Sequence, residues 1–270
     1  MAFEPNERDK VVTFDEKEHK YYVQGKQMKY SVTQLIHLYF SDFDATTIAT
    51  NMLKRRDFFQ QDKYSKYWDL ARDKSFEQGV EAIIKSWDTN RDESSFLGTA
   101  MHQSIEDFIL TAQELPHTIE SEYFQDFHAD MTTWGFVPYK PEQIVWDQEY
   151  NLAGSADMMY TRPEWLDYTP LKVFLIDWKR SKEIKMSSFR GKKGLGVCSN
   201  LEDCNYVHYT LQLNLYKHLL EKHYNVQVVK MAIAVFHPDN ENQSYIMYLV
   251  GNKTKTAKRI CLRKQLPKET

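Results

Sequence analysis

The residues of this sequence best placed to do chemistry are Asp177 and Lys179, which follow a run of four apolar residues at 173–176. That run is rich in β-branched and aromatic types, which predicts a buried strand. Because side chains alternate along a strand, Asp177 and Lys179 share one face, and Trp178 points to the other. A carboxylate and an ammonium at the end of a buried strand are costly unless they pair or bind something.

Asp157 is a second acidic residue, carried by the segment Gly154-Ser155-Ala156-Asp157 on another predicted strand. Two carboxylates favour a hard cation, and a lysine beside them can hold a water molecule or a phosphate oxygen. These residue types therefore predict the active site of a metal-dependent nuclease. Two simpler alternatives stay open: Asp157 is a turn residue beside a glycine, and Lys179 extends its amine to solvent from a strand end.

Composition excludes several other classes of protein. With 42% hydrophobic and 27% charged residues, the chain of 270 residues is typical of a globular protein with one core, or a core with a small lobe. No apolar run is long enough to span a bilayer, and the first residues are too polar for a signal peptide. The cysteines Cys198, Cys204 and Cys261 lack zinc-ligand spacing. This favours the cytoplasm or nucleus over secretion.

Charge is concentrated locally, since the formal net charge of -3 gives no support to a generally basic nucleic-acid binder. A first basic segment continues directly from Lys179 to residue 193, and basic groups beside a metal site would grip a phosphate backbone. Its predicted nucleic-acid contacts are Arg180, Lys182, Arg190, Lys192 and Lys193. A second basic segment, 253–268, contains no acid and is equally well explained as a solvated face.

The surrounding sequence predicts an α/β (α+β) fold, with a central mixed sheet flanked by helices and an N-terminal helical lobe. A hairpin is predicted over 11–23, helices over 31–38, 44–88, from Gly98, 119–134 and 209–224, and strands over 143–150, 155–160, 173–177, 228–236 and 244–250. The corresponding domains are the hairpin and helical lobe at 1–95, a core at 96–250, and a basic C-terminal tail at 251–270.

Five short motifs occur in order: Gly98-x3-His102, Glu149, Gly154-x2-Asp157, Asp177-Trp178-Lys179 and Gln212-x3-Tyr216. Each is weak alone, but the series resembles the PD-(D/E)XK nuclease superfamily, most closely its RecB-like exonuclease branch. The resemblance covers roughly residues 96 to 218 and implies a restriction-endonuclease-like core.

The resemblance also implies roles for individual residues. Asp157, Asp177, His102 and the backbone carbonyl of Trp178 would bind Mg²⁺ or Mn²⁺, a ligand set that both ions accept. Lys179 would orient the attacking water or help to deprotonate it. Among the other acids, Glu149 would join the catalytic group and Glu106 would orient the ligands from the helical face that it shares with His102. For His102 an ordinary helix histidine stays the alternative.

Substrate contacts are implied less specifically. Gln212 and Tyr216 lie on one face of a helix and would contact the nucleic-acid backbone or the lysine, although Tyr216 is nearly as well explained as core. The helical lobe is long enough to arch over the site. Its aromatic residues could stack on bases, or simply pack in a core, and they include Phe58, Phe59, Tyr64, Tyr67 and Trp68.

The implied function is a deoxyribonuclease, with exonuclease action on single strands or duplex ends in replication, recombination or repair. RNA stays open as a substrate, as do a structure-specific endonuclease or nickase and a catalytically inactive nucleic-acid-binding scaffold. No P-loop and no four-cysteine pattern is present, which predicts neither a nucleotide cofactor nor an iron–sulfur cluster. By family analogy a helicase or recombination protein is the expected partner. In its general character, the N-terminal segment resembles those of nucleases encoded by large viruses and phages.

Overall fold

The computed structural model describes residues 6–55, 62–264 and 266. The predicted contacts Phe58 and Phe59, and Lys268 of the second basic segment, lie outside these residues. The chain forms two compact units, one made of Met1–Ser41 with Met101–Thr270 and the other of Asp42–Ala100. None of the helices among the described residues is both long enough and apolar enough to cross a membrane.

The secondary structure is as follows. The strands are β1 (Val12–Asp15), β2 (Lys20–Val23), β3 (Lys26–Gln27), β4 (Tyr30–Ser31), β5 (Val137–Asp147), β6 (Leu152–Thr161), β7 (Leu171–Lys179), β8 (Val226–Val235) and β9 (Ile246–Leu249). The helices are α1 (Val32–His37), α2 (Ala45–Lys54), α3 (Asp62–Asp73), α4 (Phe76–Thr111), α5 (Ile119–Thr133), α6 (Asn205–His223) and α7 (Thr254–Cys261).

The larger unit is built on a mixed sheet in the order β4-β6-β7-β8-β9, with β5 paired to β6. Strands β6 and β7 run antiparallel, whereas β7 and β8 run parallel and are joined through α6. The predicted α/β class, a mixed sheet flanked by helices, is confirmed.

Strand β7 separates two hydrophobic cores by the alternation of its side chains. Val173 and Leu175 lie in the core that α6 contributes to, whereas Ile176 and Trp178 lie in the core that contains the α5 aromatics. The two residues after Leu175 on its face are Asp177 and Lys179, so both project towards the α6 side of the sheet. Asp177 and Lys179 are shielded from solvent because they continue the row of core residues on this face of β7.

The domain boundaries differ from those predicted. The hairpin β1–β2 packs with Met28 and Trp146 and belongs to the sheet unit, because its apolar face needs that surface for burial. The predicted C-terminal tail is also part of this unit, since α7 buries Ala257, Ile260 and Cys261 against its core. The predicted helical lobe is therefore reduced to a unit of residues 42–100.

The smaller unit contains α2, α3 and the first part of α4 around a core that includes Leu53, Val80 and Ile83. Helices α3 and α4 approach closely at Gly79, where an added Cβ would lie 2.6 Å from the Cβ of Ala71. Gly98 lies inside α4 instead of opening a helix as predicted, because one glycine costs only about 1 kcal/mol within a long helix. The aromatics Tyr64 and Tyr67 line a cleft with Trp87.

Candidate active site

The site begins where the β6–β7 ladder ends. The last paired residues are Met158 and Ile176, and the next position on each strand is an aspartate, Asp157 and Asp177. The backbone N–H of Trp178 donates to Asp157 Oδ2 at 2.8 Å, so the Asp157 carboxylate takes the place of a ladder partner. This bond fixes one carboxylate against the strand that carries the other. The structure thus brings together both predicted acids.

Asp177 and Lys179 form a buried ion pair, with 2.6 Å between Asp177 Oδ2 and Lys179 Nζ. The side chain of Asp177 is 1% exposed and that of Lys179 is 17% exposed. Burial raises the pKa of Asp177 to about 7, although Lys179 opposes the rise. For Lys179 the effect of burial is outweighed by the two carboxylates, which hold its pKa above the usual value. The Lys179 amine also lies 4.9 Å from the ring centroid of Tyr209 on α6.

Asp177 Oδ1 has no hydrogen-bond donor among the residues that the structure describes. A buried carboxylate oxygen without a donor is unfavourable, and a cation is one group that would satisfy it. This oxygen is therefore a suitable ligand for a bound metal ion.

His102, Glu142 and Asp157 converge beside this pair. His102 Nδ1 lies 3.5 Å from Glu142 Oε1 and 3.8 Å from Asp157 Oδ2, and one ligand atom of each residue falls within 4.8 Å of the others. Burial lowers the pKa of His102, but Asp157 and Glu142 outweigh it and set the pKa above its usual value. Burial raises the pKa of Asp157. One imidazole and two carboxylates are ligands that Mn²⁺ and Mg²⁺ accept.

Glu142 is the site residue that the sequence prediction missed. It lies on β5 between Pro141, which pairs with Met158, and Gln143, which pairs with Ala156, so it stands opposite Asp157. Ser155 Oγ donates to Glu142 Oε2 at 2.8 Å. The position of the hairpin turn is the signal that could have identified it. Once Asp147 is paired with Leu152, the antiparallel register places Glu142 opposite Asp157, five pairs further along the ladder.

Glu149, predicted as a catalytic acid, is not brought to the site. It lies in the turn between β5 and β6, beyond the Asp147–Leu152 pair, where its 73% exposed carboxylate contacts Lys222 at 3.1 Å. Leu152 is five residues from Asp157 along β6, or about 17 Å at about 3.4 Å per residue. Of these two acids, Glu142 is the one that lies beside Asp157.

Glu106 lies one helical turn after His102 on α4, as predicted. Burial raises its pKa, and the carboxylate of Glu142 raises it further. This acid is therefore within electrostatic reach of the cluster. The side chain of Trp178 packs in the α5-side core, 5.5 Å from the ring centroid of Phe127. The metal-ligand role of its carbonyl stays a prediction.

Tyr216 is 4% exposed and lies in the α6-side core, so it is placed to position a strand and not to touch a substrate. Its hydroxyl accepts a hydrogen bond from Gln212 Nε2 at 3.1 Å. Gln212 is half-buried one turn earlier on α6, and its role as a contact to the nucleic-acid backbone stays a prediction. Of the two predicted contacts on this helix, only Gln212 is accessible.

The predicted basic contacts differ in how free they are. Arg180 is not free, because its Nε lies 2.7 Å from Glu120 Oε1 in a pair whose side chains are 14% and 13% exposed. Three lysines pair with acids at the surface: Lys182 with Asp239, Lys192 with Asp203, and Lys193 with Glu202. Arg190 is exposed and contacts the ring of Phe189.

Comparisons with known proteins add little to this geometry. No family model matches the chain, and no curated protein matches it. Among solved structures, the crystal structure of SSO0001 matches at 13% identity, covering 88% of this chain and 86% of that chain, with a TM-score of 0.29. A likeness of this size carries no argument about function.

Proposed function

We propose that this protein is a metal-dependent nuclease of the PD-(D/E)XK superfamily, with a restriction-endonuclease-like core, that hydrolyses DNA phosphodiester bonds. The observation that carries the proposal is the pairing of Asp177 with Lys179 beside Asp157 at the open end of one ladder. A structural ion pair would not need Asp157 as a second carboxylate, since another buried negative charge only adds to the cost of burial.

Asp157, Asp177, His102 and Glu142 are the residues that would hold Mg²⁺ or Mn²⁺. The unpartnered oxygen of Asp177 and the convergence of His102, Glu142 and Asp157 support this assignment. A bound divalent ion acidifies water and offsets the negative charge that builds on the phosphate oxygens.

Lys179 supplies a positive charge at a fixed point. Its ammonium is held by Asp177 and its side chain is 17% exposed, so it can donate hydrogen bonds to a water molecule or a phosphate oxygen in front of the sheet. Because Asp177 holds one side of the amine, its remaining protons have a restricted direction. We assign Lys179 the orientation of the attacking water and of the scissile phosphate.

The RecB-like resemblance favours exonuclease action on single strands or duplex ends. A structure-specific endonuclease on the same core, and a scaffold that binds nucleic acid without cutting, are the alternatives. A covalently closed circle separates the first two, since it offers no end.

The test is cleavage of end-labelled single-stranded DNA with Mg²⁺ or Mn²⁺. Lys179→Ala should abolish cleavage, whereas Lys172→Ala should not, because Lys172 lies near the opposite end of the same strand, about 23 Å away. The product ladder would give the polarity. Wild-type protein that binds DNA but cuts neither single-stranded, duplex nor RNA substrates with either metal would overturn the proposal in favour of the scaffold.

A further inference from the structure

The loop that follows β7 exposes an aromatic side chain to solvent. Phe189 is 80% exposed, and Met186 of the same loop is 51% exposed. An exposed phenylalanine loses the stabilisation of burial, about 1.5–3 kcal/mol for a side chain of this type, unless something covers it. The described residues leave its ring open to solvent, so the ring is accessible to a ligand.

The loop is held firmly on both sides of Phe189. Before it, Ile184 is buried and the N–H of Lys185 donates to Asn205 Oδ1 at 2.8 Å. After it, the N–H of Leu195 donates to the carbonyl of Tyr39 at 2.7 Å. The N–H of Ser188 donates to Glu202 at 3.1 Å. Because these bonds anchor the loop, Phe189 is displayed in a defined place.

Arg190 accompanies Phe189 as the available positive charge. Its guanidinium carbon lies 5.1 Å from the centroid of the Phe189 ring. The loop lysines are paired with acids, including Lys192 with Asp203 and Lys193 with Glu202. Among the described residues no carboxylate forms an ion pair with Arg190, so its charge is available to a ligand.

The backbone at Arg190 is also specialised. Its φ of 55° is left-handed, a conformation that non-glycine residues seldom adopt, and Gly191 follows with a φ of 69°. Such a conformation is kept only where the surroundings determine it. Here it projects an aromatic ring and a guanidinium side by side.

We propose that Phe189 and Arg190 form a subsite for a single strand of the substrate, with a base stacked on Phe189 and the adjacent phosphate bound by Arg190. This inference rests on the proposed nuclease function, because the loop follows directly from Lys179. An aromatic face with a neighbouring cation is the pair that single-stranded nucleic acid requires, since every base has a flat face and every linkage a negative charge.

Binding without cleavage gives the test. The affinity of the full chain for labelled oligo(dT), and for a strand of the same length without bases, would be measured in chelator. Phe189→Ala should weaken binding to oligo(dT) about tenfold and leave binding to the abasic strand unchanged, because the variant loses only the stacking of a base on the Phe189 ring. Phe189→Trp should retain the affinity and show fluorescence quenching on binding. Arg190→Gln should weaken both strands and lower the salt dependence by about one phosphate contact.

A matched control lies near the other end of β7. Tyr168 is 46% exposed and the amine of Lys172 lies 4.5 Å from its ring centroid, so it forms a similar aromatic–cation pair. Tyr168→Ala should bind both strands as wild type does. Thermal unfolding of each variant checks that the fold is kept, which the exposure of both aromatics favours.

The outcomes separate the subsite from the nuclease. If Phe189→Ala binds oligo(dT) as wild type does, or loses both strands equally, the subsite is overturned, and the exposed ring is left to a protein partner. Wild type that binds neither strand overturns it as well. If Phe189→Ala loses only oligo(dT) while wild type never cuts with any metal, the subsite stands and the proposed nuclease function fails.

Discussion

The ring of Tyr216 fills the space that a side chain at position 154 would need. A Cβ on Gly154 would lie 2.8 Å from Tyr216 Cε1 and 3.0 Å from Val32 Cγ2. Helix α6 therefore lies directly on the β6 backbone, three residues before Asp157. This close approach joins two sequence motifs, the glycine before Asp157 and the tyrosine on α6, in one packing contact.

Gly154→Ala is expected to lower the free energy of unfolding by about 1–3 kcal/mol, since overpacking forces the ring or strand to shift. Gly98→Ala is the control, because a Cβ there meets open space within a helix and should stabilise by up to about 1 kcal/mol. Urea denaturation measures both. Equal stability for Gly154→Ala and wild type would mean that α6 is not held against this strand.

Glu142→Gln is expected to weaken Mn²⁺ binding about tenfold or more, because it removes a charged oxygen ligand beside His102 and Asp157. Glu149→Gln should bind Mn²⁺ as wild type does, since Glu149 faces Lys222 in the hairpin turn. Isothermal titration of the metal compares the two variants. A larger loss of Mn²⁺ affinity for Glu149→Gln than for Glu142→Gln would mean that Glu149, and not Glu142, belongs to the metal site.

Arg180→Ala is expected to destabilise the fold by about 1–3 kcal/mol, because it leaves the mostly buried carboxylate of Glu120 without its partner. The double replacement Arg180→Met with Glu120→Leu should recover much of this loss. Lys182→Ala is the exposed control, and breaking its surface pair with Asp239 should leave the free energy of unfolding essentially unchanged. If Arg180→Ala instead keeps full stability and loses only DNA affinity, Arg180 is a substrate contact after all.

Asp147 is expected to contribute a stability that is lost in acid. Burial alone would raise its pKa, but hydrogen bonds from Lys222 and His223 lower the pKa below its ordinary value of 3.8. Because the folded-state pKa lies below the unfolded one, the stabilisation is present above pH 3.8 and disappears as the pH falls through the folded-state value. The difference in unfolding free energy between wild type and Asp147→Asn should shrink below about pH 4. A difference that grows in acid would reverse the sign of this linkage.

Local periodicity was enough to predict part of the candidate site. Asp177 and Lys179 share a face because they are two residues apart on a strand, and that requires no knowledge of the rest of the fold. Glu142 was missed because its position depends on the register of a hairpin whose turn lies several residues away. Glu149 was assigned its role by the family resemblance, and the order of motifs along the sequence does not show that this residue lies in the turn between β5 and β6.

Side-chain partners across the fold were beyond prediction for the same reason. Arg180 sits in a basic run and looks available, yet its partner Glu120 is sixty positions away in sequence at the start of α5. The helix carrying Gln212 and Tyr216 was predicted, but which residue meets the strand depends on how closely α6 approaches Gly154. Sequence spacing defines faces, whereas tertiary packing decides which groups on a face stay accessible.

The alternation of β7 between two cores has a consequence for evolution under selection for stability. Asp177 and Lys179 occupy positions at which the row begun by Val173 and Leu175 would otherwise continue, so the candidate site is made by interrupting a hydrophobic row. Apolar replacements there should make the protein harder to unfold while removing the chemistry. A lineage in which the proposed nuclease activity is no longer selected would therefore lose these two residues first, and its fold would survive the loss.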